Sequence, residues 1–147
     1  MKIGIACDHG GYNLKKKMTK FLNKKGYTVI DYGTDSLDSV DYPDFAFKLG
    51  EEVVNKNVDM GIAICKTGIG MSIACNKVKG ARCAKLDTIK DAKYAKEHNN
   101  ANIIAINNKK TLFKTKLIIK KFINTEFSNV NRHKNRIDII SGYENEH

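Results

Sequence analysis

The sequence has no tryptophan, a single proline and no apolar run approaching the roughly 18 residues needed to span a membrane. Its opening, MKIGIACDHGG, has the pattern of a strand and a turn and not that of a signal peptide. The shortage of proline, together with 29% charged residues, is typical neither of a disordered chain nor of a low-complexity chain. We therefore expect residues 1–147 to form one soluble, cytoplasmic domain with no membrane partner.

Metal-binding and disulfide patterns are also missing. The four cysteines form no CxxC pair and show no Cys/His spacing typical of zinc. In a cytoplasmic protein such thiols stay reduced, so we expect neither disulfides nor a structural metal. Cys7, Cys75 and Cys83 are interpreted as packing residues.

Acidic residues are few, 16 against 26 basic ones, which gives a formal net charge of +10. The lysines spread over the polar faces of predicted helices without a groove-reading motif, so we expect no nucleic-acid partner. Only three basic residues are arginines, and Arg132 and Arg136 lie four residues apart. In a lysine-rich chain, two arginines on one helical face indicate a site for a carboxylate or a phosphate. The alternative is that they pair at the surface with Glu144 or Glu146.

Five short apolar runs alternate with segments of helical periodicity. The runs predict strands over residues 2–7, 28–32, 60–64, 81–86 and 103–106. The chain ends in a tail from about residue 128, with a short helix over about 131–140. Strands that are almost wholly apolar belong to a parallel sheet covered on both faces. We therefore predict an α/β protein with a three-layer αβα, Rossmann-like, doubly wound fold around a five-stranded parallel sheet.

The third predicted strand ends in the turn Cys65-Lys66-Thr67-Gly68-Ile69-Gly70. Ligands of open α/β sheets bind at the carboxyl ends of the strands, where turn amides can face an anion, and Asp8-His9 and Asn107-Asn108 are expected on the same rim. A thiol, a hydroxyl and several N–H groups at that place could act together as a base or nucleophile with an oxyanion site. The alternative is a buried, inert cysteine beside glycines that only shape a turn. The glycines lack the rest of a dinucleotide-binding pattern, so no such cofactor is predicted.

Six motifs, taken together and in order, carry a resemblance to a known family. They are Asp8-His9-Gly10-Gly11, Val40-Asp41-Tyr42-Pro43, Cys65 with Thr67-Gly68-Ile69-Gly70, Ala74-Cys75-Asn76-Lys77-Val78, Glu97-His98-Asn99-Asn100-Ala101-Asn102, and Arg132-His133 with Arg136. On these residues the chain resembles, over about residues 1–140, the type B ribose-5-phosphate isomerases. That family also includes galactose-6-phosphate and allose-6-phosphate isomerases.

The resemblance implies interconversion of D-ribose 5-phosphate and D-ribulose 5-phosphate through a cis-enediolate, in the pentose phosphate pathway, with neither metal nor cofactor. Such a reaction needs a base next to a carbonyl, stabilisation of an oxyanion and prior opening of the sugar ring. Two alternatives stay open: the same chemistry on allose or galactose 6-phosphate, and a phosphate- or nucleic-acid-binding module on the same fold. The presence of base, ring-opening histidine and arginine pair in one chain favours the ribose enzyme.

Residue roles are implied by the same resemblance. Cys65 is the base, and His98 with Asp8 moves the proton that opens the ring. The developing enediolate is held by the amides of the turn and the Thr67 hydroxyl, in residues Lys66, Thr67, Gly68, Ile69 and Gly70. Substrate contacts are expected from Tyr42 and Asn99 on the sugar hydroxyls and from His9, Arg132, Arg136 and Lys109 on the phosphate.

Several of these residues have a structural alternative. His98 could only cap the end of a helix, and Asp8 could only cap the start of one. Asn76 is either a turn-stabilising amide or a substrate contact. His133 and His147 are interpreted as surface residues.

The sequence departs from the family pattern at three places. Lys66 stands where a glycine usually follows the cysteine, and if that position needs a positive φ, the lysine costs about 1 kcal/mol. Lys109 stands where relatives tend to have an arginine that reaches the phosphate of the neighbouring subunit, so the contact becomes a point charge. Asn107-Asn108 replace small residues. Because the family builds its active sites across a dimer interface, we expect a homodimer, or a homotetramer as the larger assembly.

Overall fold

All strands of the protein belong to one parallel sheet. In a computed structural model that describes residues 1–147, the strands are β1 (Lys2–Cys7), β2 (Thr28–Asp31), β3 (Met60–Cys65), β4 (Cys83–Lys85) and β5 (Ile103–Asn107). Their order in the five-stranded sheet is β2-β1-β3-β5-β4, and every neighbouring pair is parallel. The chain therefore winds outward from β1 in both directions, which confirms the predicted doubly wound topology.

Helices connect the strands. They are α1 (Tyr12–Lys24), α2 (Tyr42–Val54), α3 (Ile69–Cys75), α4 (Ile89–Glu97), α5 (Leu112–Ile123) and α6 (Asn131–Glu146). Local sequence explains where they begin, since Pro43 occupies the first turn of α2 and Thr88 caps α4. Thr88 Oγ1 accepts a hydrogen bond from Asp91 N at 3.0 Å, and the Asp91 carboxylate accepts one from Thr88 N at 2.9 Å. None of the helices combines the length and the apolar character needed to cross a membrane.

Apolar side chains are buried on both faces of the sheet. Met18 of α1 and Ile119 of α5 pack on one face, together with residues of α4. Leu49 of α2 and Met71 of α3 pack on the other face. Because each face is covered by helices, the predicted three-layer arrangement is confirmed.

The α2–α3 side of the sheet is closely packed because glycines replace side chains at its centre. A Cβ atom at Gly4 would lie 2.9 Å from Leu49 Cδ1, and a Cβ atom at Gly61 would lie 3.1 Å from the same atom. Helix α2 therefore approaches the strands closely. Cys65 packs with this layer, so its side chain lies on the side of the sheet that α2 and α3 cover.

Two element boundaries differ from the sequence prediction. Helix α6 continues to Glu146 instead of ending near residue 140. A tertiary contact holds its last turns, because Glu144 Oε2 accepts a hydrogen bond from Gly80 N at 3.1 Å. Strand β4 is shorter than predicted, because Arg82 N donates to the Asn102 side chain at 2.8 Å and not to a neighbouring strand.

Candidate active site

Cys65 is the last residue of β3 and lies at the carboxyl edge of the sheet, where it is 5% exposed. Its Sγ accepts a hydrogen bond from Gly68 N at 3.0 Å. Gly68 has φ +77°, a conformation that glycine adopts without steric cost, and this lets its N–H point back at the sulfur. One residue earlier, Thr67 Oγ1 accepts a hydrogen bond from Ile69 N at 3.2 Å. The thiol therefore lies against a main-chain donor, which stabilises negative charge on the sulfur.

The turn that follows β1 packs directly on the Cys65 turn. Asp8 is buried, and its Oδ1 accepts hydrogen bonds from Gly10 N at 3.0 Å and Gly11 N at 3.3 Å. A Cβ atom at Gly10 would lie 3.3 Å from Lys66 N, so the two turns lie close together with no room for a larger side chain between them. The capping alternative for Asp8 is confirmed as a structural role. Its second oxygen, Oδ2, has no hydrogen-bond partner and can still contact a ligand.

Lys66 adopts an ordinary backbone conformation. Among residues other than glycine, only Lys56, Asn100 and Asn129 have a positive φ. The cost expected for a lysine at a glycine position therefore does not arise. The Lys66 side chain is exposed at the mouth of the turn.

His9 and Tyr42 flank the same edge. His9 Nδ1 accepts a hydrogen bond from Val40 N at 3.2 Å, which fixes the ring and leaves the proton of a neutral imidazole on Nε2. Tyr42, the first residue of α2, lies over the start of α3, since a Cβ atom at Gly70 would be 2.7 Å from Tyr42 Cζ. Both residues therefore lie at the same edge of the sheet as Cys65.

The end of β5 completes this rim. Asn107 pairs in register with Cys65, and Asn108 Nδ2 donates to Gly10 O at 2.6 Å. Lys109 N donates to Asn107 Oδ1 at 3.0 Å, and the Lys109 side chain is exposed. The prediction that the ends of β1, β3 and β5 share one rim is confirmed. The two asparagines tie the loops of this rim together.

A second group of candidate residues surrounds His98 at the end of α4. His98 N donates to Tyr94 O at 3.0 Å, so the residue caps the helix as the structural alternative had it. Its half-exposed ring stacks on Tyr94 at a centroid distance of 4.6 Å and lies 4.3 Å from the ring of His133. Asn99 follows directly and is exposed. The backbone of His98 thus ends the helix, while its imidazole is accessible to a ligand.

Arg132 and Arg136 lie on α6 beside this group and are exposed. The structure gives neither guanidinium an ion pair, and Glu144 instead accepts a hydrogen bond from Gly80 N. The surface-pairing alternative is therefore wrong for Glu144 and has no support for Glu146. Two unpaired arginines, one helical turn apart, are available for an anion.

One chain does not bring the two groups together. Helix α4 starts at the carboxyl edge of the sheet and returns to the amino edge, where Ile103 pairs with Gly61 at the start of β3. Cys65 lies at the other end of that strand, and at about 3.3 Å per residue the length of β3 separates the two edges by about 15 to 20 Å. Cys65 and His98, and likewise His9 and the arginine pair, therefore lie at opposite edges of the subunit.

Sequence reasoning missed two residues of the His98 group. His133 was interpreted as a surface residue, but it is 6% exposed and its Nδ1 hydrogen-bonds Ser128 Oγ at 2.8 Å. Arg82 donates from Nε to Asn99 O at 3.1 Å and from Nη2 to Asn100 O at 2.9 Å, which fixes the loop after His98. Its burial lowers the pKa of the guanidinium. A half-buried arginine that binds backbone carbonyl groups leaves no pattern in the sequence.

The remaining candidates are structural. Asn76 holds the loop before β4, because its Nδ2 donates to Cys83 O at 2.8 Å and its Oδ1 accepts from Cys83 N at 2.8 Å. All four cysteines are free and buried. Burial raises the pKa of Cys7 to about 11, and contact with Cys75 together with burial raises the pKa of Cys83. The prediction that Cys7, Cys75 and Cys83 are packing residues is confirmed.

Comparison with known proteins places this arrangement in a family. Ribose-5-phosphate isomerase B of Mycobacterium leprae is 37% identical over 149 residues, covering 100% of this chain and 92% of its own. The solved structure of ribose-5-phosphate isomerase B from Clostridium thermocellum matches with a TM-score of 0.96 and 46% identity over 99% of both chains. That of Mycoplasma genitalium with bound ribulose-5-phosphate matches with a TM-score of 0.93 and 40% identity over 99% of this chain and 97% of its own. The family model described as Ribose/Galactose Isomerase matches residues 3–140, and the chain belongs to that family.

Proposed function

We propose that the protein interconverts D-ribose 5-phosphate and D-ribulose 5-phosphate through an enediolate, as a step of the pentose phosphate pathway. The observation that carries the proposal is the Cys65 thiol at the carboxyl end of β3, 3.0 Å from the N–H of Gly68. The names of its relatives, and the relative solved with ribulose-5-phosphate, support a pentose phosphate as the substrate.

Cys65 acts as the base in its thiolate form. It removes the proton from C2 of the open-chain aldose, and the electron pair of that bond forms the C1–C2 double bond while negative charge develops on O1. A proton then passes from O2 to O1, and the thiol returns its proton to C1 to give the ketose. The N–H groups of residues 66–70 and the Thr67 hydroxyl lie next to the sulfur and hold the charged oxygen.

The cationic residues of the site bind the phosphate. Arg132 and Arg136 present two exposed, unpaired guanidinium groups, and His9 presents Nε2–H. Lys109 adds a point charge at the rim. Tyr42 and Asn99 contact the sugar hydroxyls, since both are exposed next to the groups that react.

His98 opens the furanose ring with the help of Asp8. Imidazole titrates near neutral pH and can both accept and donate the proton that ring opening moves. The unpartnered Oδ2 of Asp8 faces the same substrate from the Cys65 side of the site.

A second copy of the chain completes the site. Within one subunit His98 and the arginines lie about 15 to 20 Å from Cys65, so a homodimer that apposes the two edges supplies each site with both groups. Exposed apolar side chains support such a contact: Ile139 and Tyr143 of α6 are 71% and 65% exposed, and Ile73 of α3 is 57% exposed. Dimers of this kind can pair further into a homotetramer.

An assay of the purified protein tests the substrate and the base together. Ribose 5-phosphate is expected to be converted with a higher kcat/KM than allose 6-phosphate or galactose 6-phosphate, without added metal. Cys65→Ala is expected to lower kcat by about 100-fold or more, because the proton-transferring group is lost, while calorimetry still detects ribose 5-phosphate binding. Undiminished turnover by Cys65→Ala would remove the proposed base, and a preference for a hexose phosphate would replace the proposed substrate.

A further inference from the structure

His133 is buried although most of its helix is exposed. It is the third residue of α6 and only 6% of its surface is accessible, whereas its neighbour Arg132 is exposed. Its ring lies 4.3 Å from that of His98, inclined by 32°. On the other side of His98, the Tyr94 ring stacks at 4.6 Å and 20°. His98 is therefore held between two rings that come from different helices.

His133 is itself tied to the end of α4. Its Nδ1 forms a hydrogen bond with Ser128 Oγ at 2.8 Å. Ser128 N in turn donates to the carbonyl of Glu97 at 3.0 Å, and Glu97 directly precedes His98 in the chain. The two imidazoles are thus connected by a short route through the backbone as well as by ring contact. These hydrogen bonds fix the His133 ring relative to the backbone at the end of α4, from which the His98 side chain extends.

Burial and the charges around His133 favour the neutral form of its ring. On α6 it is flanked by Arg132 and Arg136, and from α4 it faces His98 and the Glu97 carboxylate. Burial, followed by the positive charges of His98 and the two arginines, lowers the pKa of His133, while Glu97 acts in the opposite direction. A neutral ring can lie against His98 in either protonation state without charge repulsion.

We propose that His133 is a positioning residue, whose buried ring sets the plane of the His98 imidazole and hence the direction in which His98 transfers the proton of ring opening. This inference rests on the proposed role of His98. In ring opening the C1 hydroxyl loses its proton and becomes the aldehyde, the bond from C1 to the ring oxygen breaks, and that oxygen gains a proton. A tilted imidazole cannot reach both oxygens, so the orientation of His98 limits the rate.

Substitution of His133 tests the inference, and the chain offers a matched control. His147 directly follows the last residue of the same helix and stacks on Tyr143 at 4.2 Å and 19°, but it is exposed and outside the site. His133→Asn is expected to lower kcat for ribose 5-phosphate about tenfold and leave KM within about twofold, because the phosphate contacts remain. His133→Phe keeps a ring against His98 and is expected to retain more of kcat, and His147→Asn is expected to leave both constants unchanged.

A double-mutant cycle separates positioning from a general loss of stability. In a His98→Asn background, His133→Asn is expected to cause no further loss of kcat, because the group that it orients is gone. An equal fold-loss in both backgrounds, a loss confined to KM, or normal turnover by His133→Asn would overturn the inference. If His98→Asn itself keeps full turnover, the proposed role of His98 fails instead, and the two failures are thereby distinguished.

A measurement on the unaltered protein serves if a variant does not fold. With only four histidines, each imidazole can be followed by ¹⁵N NMR. At pH 7 the His133 ring is expected to be neutral and in a single tautomer, with contacts to the His98 ring protons. A His133 ring that is charged at pH 7, or that has no contact with His98, would overturn the inference.

Discussion

Two variants with strongly reduced activity, Cys65→Ala and His98→Asn, are expected to recover activity when they are mixed as subunits. The reason is the position of the two residues at opposite edges of one sheet, separated by the length of β3, or about 15 to 20 Å. If each active site takes Cys65 from one copy and His98 from the other, a mixed dimer holds one intact site and one site that lacks both groups.

The expected recovery follows from counting sites. Random pairing of equal amounts makes about half of the dimers mixed, and half of the sites in those dimers are intact, so about a quarter of the wild-type activity should return. The measurement is the rate of ribose 5-phosphate conversion after the two variants are unfolded together and refolded, or produced together in one cell. Each variant refolded alone gives the baseline.

The matched control uses Cys65→Ala mixed with the double variant Cys65→Ala, His98→Asn. No intact site can form in that mixture, so any recovery there would have to come from refolding and not from shared sites. If the first mixture shows no activity above its baseline while size measurements show mixed dimers, the idea of a site shared between two copies is refuted.

Three further predictions concern binding, packing and pH. Arg136→Ala should raise KM for ribose 5-phosphate at least tenfold with a smaller change in kcat, because one of the two unpaired guanidinium groups is lost. An unchanged KM would show that Arg136 does not bind the phosphate. Gly70→Ala should lower kcat/KM, because the new Cβ would lie 2.7 Å from Tyr42 Cζ and displace that ring; unaltered kinetics would show that Tyr42 makes no substrate contact. Burial raises the pKa of Cys7 from 9.0 to about 11, so the folded state favours the neutral thiol. Its contribution to the free energy of unfolding is therefore fully present below pH 9 and is lost as the pH rises through 11. Denaturant titrations should show a loss of about 2 kcal/mol across that interval, which Cys7→Ala should remove.

Much of the fold is predictable because local and global patterns agree. Each strand is a short apolar run and each helix has apolar residues at its own period, which fixes a parallel sheet with two covered faces. The end of α6 could not be predicted in this way. Its last turns depend on the hydrogen bond from Gly80 to Glu144, a contact between residues far apart in the chain.

The candidate site was less predictable from the sequence than the fold was. The residues themselves predicted that Cys65 lies at a strand end and that Arg132 and Arg136, four residues apart, form an anion site. The roles of His98, Asp8 and Tyr42 came from the family resemblance. The resemblance implied an active site shared between subunits, but neither route predicted that Cys65 and His98 lie at opposite edges of one subunit, which depends on the direction of α4.

The error on His133 has a physical cause. A histidine between Arg132 and Lys134 has the sequence context of a solvated helix face. Its burial depends on the loop at Ser128, which comes back against the end of α4. The cost anticipated for Lys66 depended in the same way on a backbone angle that sequence does not specify.

The glycines at the centre of the sheet bear on the size of the sugar that the protein can accept. Gly4 and Gly61 let Leu49 rest almost on the strands, and Tyr42 stands at the first turn of that same helix. A methyl group added at either glycine would lift the helix away from the sheet and carry the phenol outward with it. We therefore expect these interior glycines to affect the position of Tyr42, so that the size of sugar the protein accepts depends in part on packing in the hydrophobic core.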